Sequence, residues 1–156
     1  FSEVMTPDVN TMPRVSELTL ALLEDSGWYR PDYSQAGAFF FGRGKGCAFV
    51  DGACIQNGVS RFPDTFCTAN GGRCGHGHPV AGCSHDLMAK AYCTNCVHDQ
   101  PLPSSFQYFN NSRLGGTRRQ MNYCPSWEAW GDVFCQGSPQ PNWQAYGEAY
   151  HPDARC

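Results

Sequence analysis

A chain of 156 residues fits one or two domains. Its 10 cysteines, 17 glycines and 11 prolines make it turn-rich and exclude a coiled coil or helical bundle. A net charge of −3, with only 11 Lys plus Arg spread along the chain, excludes a basic footprint for nucleic acid or an anionic membrane. Apolar runs such as Ala38 to Phe41 stop at four residues, far short of the roughly 18 that span a bilayer.

Residues 1 to 14, with Pro7, Asp8, Asn10 and Pro13, show no periodic apolar pattern and read as a loop. The pattern then changes. Ser16 can cap a helix with Glu17 in its first turn, while Leu18, Ala21, Leu22 and Asp25 mark one face that Leu20 and Leu23 widen. Gly27 supplies a left-handed stop and Pro31 prevents resumption, so a helix is predicted from Ser16 to Ser26. Its wide apolar face predicts packing on more than one side. Ala38 to Phe41 and Cys47 to Val50, separated by Gly42, Gly44 and Gly46, suit two short strands around a glycine turn. From about Cys54 onward, short apolar snatches alternate with Pro, Gly, Asn and Cys, and only Ser84 to Tyr92 hints at a helical period. That part reads as a disulfide-stapled, loop-rich module, with a domain boundary between residues 47 and 55.

Cysteine density points to an oxidising compartment and hence to secretion or surface display. The chain opens on Phe1 without a signal sequence, as a processed or excised piece would. Asn110-Asn111-Ser112 is an N-glycosylation acceptor in a polar loop. A catalytic zinc helix needs His-Glu-x-x-His, which sets two imidazoles one turn apart beside a carboxylate. The motif is absent: His76, His78, His85, His98 and His151 are followed by Gly77, Pro79, Asp86, Asp99 and Pro152. Cys74, His76, His78, Cys83 and His85 gather zinc-type ligands, but their spacing matches no common finger and an oxidising compartment would cross-link the cysteines, so a polar turn is the simpler reading. Cys93-Thr94-Asn95-Cys96 has redox-site spacing without the βαβ context, which favours a structural role. Gly42-x-Gly44-x-Gly46 lacks the helix and the Lys-Ser/Thr that would hold phosphate.

Two segments carry specific information: Ser2-Glu3-Val4-Met5-Thr6-Pro7, and Ser16 through Gly27-Trp28-Tyr29. Together they resemble the methionine-turn region of leishmanolysin-like zinc metallopeptidases, a branch of the metzincins. Further stretches are similar to that family in its order: Gly46 to Phe49, Phe66-Cys67, Leu102 to Phe109, Leu114 to Gly116, Asn122 to Pro125 and Asp153 to Cys156. The resemblance implies an α+β fold. One helix packs behind a metzincin-type catalytic half ending near residue 52, and residues 53–156 form a loop-rich, mainly antiparallel, cysteine-rich C-terminal domain. It also implies a parent zinc endopeptidase that hydrolyses peptide bonds in proteins. The zinc would be bound by upstream residues outside this chain, so no catalytic or metal residue is expected here, and the chain alone should be inactive. The expected partners are the remainder of the same polypeptide and protein substrates. Met5 would form the apolar floor under the zinc-bound imidazoles without binding metal.

The same resemblance implies pairing of Cys54 with Cys124, Cys67 with Cys83, and Cys74 with Cys156. Cys47 and Cys135 would pair with cysteines in absent segments. Cys93 and Cys96 depart from the family pattern and are expected to pair with each other. The aromatic segment Trp127 to Tyr150 also departs from it, with buried rings or a binding surface as the two readings. Two other functional classes stay open at this stage. One is a structural or adhesive extracellular protein reusing an inactive peptidase fold; the other is an autonomous disulfide-rich binding module.

Overall fold

The computed structural model describes residues 3–6, 14–77 and 79–135. The chain divides into two compact units, Phe1–Gly44 and Lys45–Cys156.

The first unit is built on helix α1, Glu17–Asp25. The Ser16 side chain accepts from the Leu18 backbone N–H and so satisfies one of the unpaired donors of the first turn. At the other end the Gly27 N–H closes on the Glu24 carbonyl at 2.9 Å, with Gly27 at φ 74°, where a side chain would be strained. The helix therefore begins and ends where its capping residues dictate. Its apolar face behaves differently from expectation: no residue of α1 is buried, and Leu18 and Leu22 are each 64 % exposed.

The second unit opens on α2, Cys47–Asp51, where a strand was expected. Gly42, Gly44 and Gly46 all take positive φ, so the chain turns repeatedly before α2. One helical turn then carries the Phe49 ring onto Phe66, with centroids 5.3 Å apart, and edge-on to Phe62 at 5.2 Å. Strands β1 (Ile55–Gln56) and β2 (Val59–Ser60) form a tight antiparallel pair. A three-stranded antiparallel sheet follows in the order β3 (Ala81–Cys83), β4 (Ala89–Cys93), β7 (Trp127–Phe134). Strands β5 (Cys96–Val97) and β6 (Leu114–Gly115) form a further antiparallel pair. The described residues are thus α+β, with one main helix and mainly antiparallel sheets.

The helical hint over Ser84 to Tyr92 is overturned. Ser84 starts a turn in which its hydroxyl accepts from the Met88 and Ala89 N–H groups, and Leu87 takes φ 57° to complete it. Beyond the turn β4 alternates buried and half-buried residues at the period of a strand. Gly82 lets β3 pass directly beneath the Trp127 indole, since a Cβ there would lie 2.5 Å from the ring. The Trp127 Nε1–H donates to the Pro63 carbonyl at 2.7 Å.

Among the described residues most of the buried apolar side chains are small: Ala89, Ala91, Cys67, Cys93, Cys96 and Cys124 stand beside Ile55, Phe66 and Leu102. Half-cystines therefore supply much of the interior. Among the described residues Cys54 is bonded to Cys124, Cys67 to Cys93, and Cys74 to Cys96. The first pairing is the one the resemblance implies; the others are not. Trp127 donates to the Thr65 carbonyl and pairs in register with Cys93, which brings Cys67 against Cys93. Cys83 lies instead at the turn end of β3, opposite Lys90. It is in a disulfide whose partner is neither Cys67 nor Cys74. Cys93 and Cys96 cannot close on each other easily, because side chains three apart in extended backbone point to opposite faces. The intervening Thr94 and Asn95 are buried, and Thr94 is tied to Ser126 by two hydrogen bonds. Cys156 and the aromatic segment beyond Cys135 lie outside the described residues.

Candidate functional site: a latched methionine turn

Met5 sits in a tight turn whose geometry is set by Glu3. The Thr6 hydroxyl donates to the Glu3 carbonyl at 2.9 Å, closing the turn around Val4 and Met5. Glu3 and Arg14 form a parallel bridge, and the Val4 N–H donates to the Arg14 carbonyl at 2.8 Å. The turn is thereby joined to the residues that lead into α1.

The Glu3 carboxylate completes the connection. It accepts from the Val4 N–H at 2.9 Å, the Ser16 N–H at 3.1 Å and the Thr19 hydroxyl at 2.9 Å. Glu3 is only 8 % exposed, and Ser16 is buried beside it. Burial by itself would raise the carboxyl, but the hydrogen bonds from Ser16, Thr19 and Val4 outweigh it and hold the group below its ordinary range. A carboxylate with three donors at the first turn of a helix is an N-terminal anchor, stabilised by the exposed amide dipoles there. Met5 itself is 71 % exposed, so the latch presents its thioether outward.

The other residues singled out in the sequence fall as follows. Asn110 lies exposed in a bend, open to a modifying enzyme. Cys47 is exposed at the start of α2, and Cys135 is half-buried, with its N–H donating to the Met88 carbonyl at 2.8 Å. The loop cluster of Cys74, His76, Cys83 and His85 does not assemble as a metal centre, because both cysteines are oxidised. His78 lies outside the described residues. Burial pulls the His85 imidazole below its usual range, against an opposing pull from the Asp86 and Asp64 carboxylates. Among the described residues, the group whose donor atoms come together is instead Cys74, Cys96 and His98. With its sulfurs joined in a disulfide it offers no thiolate, so it does not fit a resident catalytic zinc.

Two arrangements are not evident in the sequence. Glu3 was visible as part of a motif, yet its role depends on partners 13 and 16 positions away. His98 stands two residues after Cys96, a Cys-x-His spacing that would have flagged it had an extended backbone been assumed.

The described residues thus place a turn bearing Met5 against a capped helix, and a disulfide-stapled antiparallel module after it. The family model for leishmanolysin, a peptidase family, matches residues 1–156. The chain belongs to the leishmanolysin family. Leishmanolysin of Leishmania donovani is 31 % identical over 147 residues, covering 90 % of this chain and 23 % of the relative. The leishmanolysin-like peptidase of Drosophila pseudoobscura pseudoobscura is 28 % identical over 181 residues, covering 99 % of this chain and 26 % of the relative. The chain thus spans about a quarter of the length of the curated relatives it matches.

Proposed function

We propose that these residues are the supporting part of a secreted or surface-displayed zinc metalloendopeptidase that cleaves peptide bonds in proteins. In this reading residues 1–52 end the catalytic domain and residues 53–156 form its cysteine-rich C-terminal domain. Met5 is the floor of the zinc site, α1 stands behind that site, and the stapled module flanks the substrate cleft. The zinc ligands and the general base are assigned to polypeptide outside these residues. Cys47 and Cys135 are assigned partners there too, and Asn110 is assigned a glycan.

The observation that carries the reading is the Glu3 latch. A buried carboxylate fixes both the turn that presents Met5 and the first turn of α1, so that the thioether is held by the helix and not by a loose loop. The exposed Leu18 and Leu22 add support, since an amphipathic face left uncovered suits a helix that belongs to a larger body.

The test uses the complete parent protein, purified and assayed on casein with and without a chelator. Cleavage that the chelator abolishes is expected, and Glu3→Gln should lower kcat/KM about tenfold or more, in line with losses seen when groups that orient metal ligands are removed. A folded parent that cleaves nothing would favour the structural or adhesive reading, and unchanged kinetics in Glu3→Gln would remove the role given to the turn. The 156 residues alone are expected to leave casein intact.

A further inference from the structure

Cys96 opens strand β5, His98 follows its last residue Val97, and side chains two apart along extended backbone share a side. Residues 71–74 run alongside it. The Gly71 N–H donates to the Asn95 carbonyl at 2.9 Å, Val97 N–H to Gly72 at 2.8 Å, and Cys74 N–H to Val97 at 3.1 Å. The Arg73 guanidinium is paired with the Asp99 carboxylate at 2.8 Å on the flank. Two sulfurs and one ring nitrogen consequently lie within 4.8 Å of one another.

The imidazole is held in place. The His98 backbone N–H donates to the Arg113 carbonyl at 2.8 Å, and the ring stands perpendicular to Tyr123 with centroids 5.6 Å apart. Its Nε2 lies 3.0 Å from the Gly116 carbonyl. A carbonyl only accepts, so that hydrogen bond puts a proton on Nε2, and the neutral ring then carries its lone pair on Nδ1. Metal-binding histidines are commonly prepared in this way, with the second ring N–H given to a backbone carbonyl.

We propose that the Cys74–Cys96 bond masks a site for a soft divalent cation of the zinc type, with His98 as its third ligand, and that reduction opens it. The reductant is a dithiol. Its thiolate attacks one sulfur to give a mixed disulfide, and its second thiolate displaces the protein sulfur. The dithiol is thereby oxidised to a disulfide, and Cys74 and Cys96 receive two electrons and two protons. The cation then replaces both thiol protons. The three backbone hydrogen bonds do not depend on the disulfide, so the sulfurs remain neighbours after it opens. They need separate only to roughly 3.7 Å to bind a tetrahedral ion at about 2.3 Å each. Two thiolates and one imidazole leave a fourth position for water or an outside ligand, and thiolates favour zinc over magnesium or calcium. Among the described residues, neither Cys54–Cys124 nor Cys67–Cys93 belongs to such a three-ligand group.

The test reduces the 156-residue chain stepwise with a phosphine, adds zinc or not, and measures the alkylation rate of each cysteine by mass mapping. Zinc should slow labelling of Cys74 and Cys96 at least tenfold and leave Cys54, Cys124, Cys67 and Cys93 unaffected. His98→Ala should shift the zinc concentration giving half protection upward by about 10- to 100-fold. Cobalt should give sulfur-to-metal absorption in the reduced chain and none in the oxidised one. His98→Gln, judged folded by circular dichroism while oxidised, serves if the alanine variant does not fold. Three results overturn the proposal: a Cys74–Cys96 bond that stays closed while the other disulfides open, protection of all cysteines alike or of none, and protection indifferent to both His98 variants.

Discussion

The two units fix chains poor in large buried side chains by different means. Lys45–Cys156 uses covalent cross-links, and the sulfurs themselves fill space that aliphatic side chains would occupy in a larger domain. The bonds Cys54–Cys124, Cys67–Cys93 and Cys74–Cys96 close separations of 70, 26 and 22 residues. In Phe1–Gly44 the described residues are instead joined by hydrogen bonds around one carboxylate, and the helix leaves Leu18 and Leu22 in solvent. The first device works in isolation because it acts on the unfolded chain. The second orders local backbone and leaves apolar surface for something else to cover.

Breaking the covalent device should give the largest effect. Replacing Cys54 and Cys124 together by serine is expected to lower the unfolding free energy of the second unit by about 4 kcal/mol, and replacing Cys67 and Cys93 by about 3.5 kcal/mol, on the loop-entropy relation. Urea titration of each double variant against the unmodified chain checks this ranking. A larger loss for the shorter loop would mean that the packed sulfurs at Cys67 and Cys93 matter more than the entropy of closure. Next comes Gly82→Ala, whose methyl would meet the Trp127 ring. Displacing that indole and its bond to Pro63 should cost about 1–3 kcal/mol, read from the midpoint in urea and from tryptophan fluorescence.

The polar device is tested by Glu3→Gln, with an expected cost of about 1.5–3 kcal/mol for a buried, charge-assisted anchor. Its pH dependence has a definite sign. The folded carboxyl lies below its ordinary value of 4.5, so its contribution is complete above that value and is lost as pH falls through the lower folded value. The unmodified chain should therefore lose α1 helicity in acid below about pH 4.5, and Glu3→Gln should flatten that part of the curve. Circular dichroism against pH reads both.

What could be read from the sequence follows the range of the interactions. Helix α1 was legible because its signals are local: Ser16 caps it, Gly27 ends it, and the leucines repeat at helical spacing. Cys47–Val50 and Ser84–Tyr92 took the other period, because short apolar stretches fit either a strand or a helical turn. The choice was made by distant partners, Phe66 in one case and β7 in the other. Cysteine pairing is non-local in the same way. The register of β3, β4 and β7 decides which sulfurs meet, and that register is set by Trp127 passing over Gly82. The anchoring role of Glu3 needed the fold, because its partners lie 13 and 16 positions away.

The smallest effect expected in this chain is the most informative about its surroundings. Leu18 and Leu22 lie one turn apart on α1, and each is 64 % exposed. Changing both to lysine removes no described buried contact, so the isolated 156 residues should change in stability by less than about 0.5 kcal/mol. In the complete parent the same face is assigned to packing behind the zinc site, where two buried ammonium groups without partners would each cost several kcal/mol. The double variant should accordingly be neutral in the chain and strongly destabilising in the parent, as measured by thermal unfolding of both proteins. Equal neutrality in the two would mean that the helix faces water in the whole molecule. In that case the amphipathic pattern would reflect helix formation alone, and α1 would lose its assigned place behind the metal.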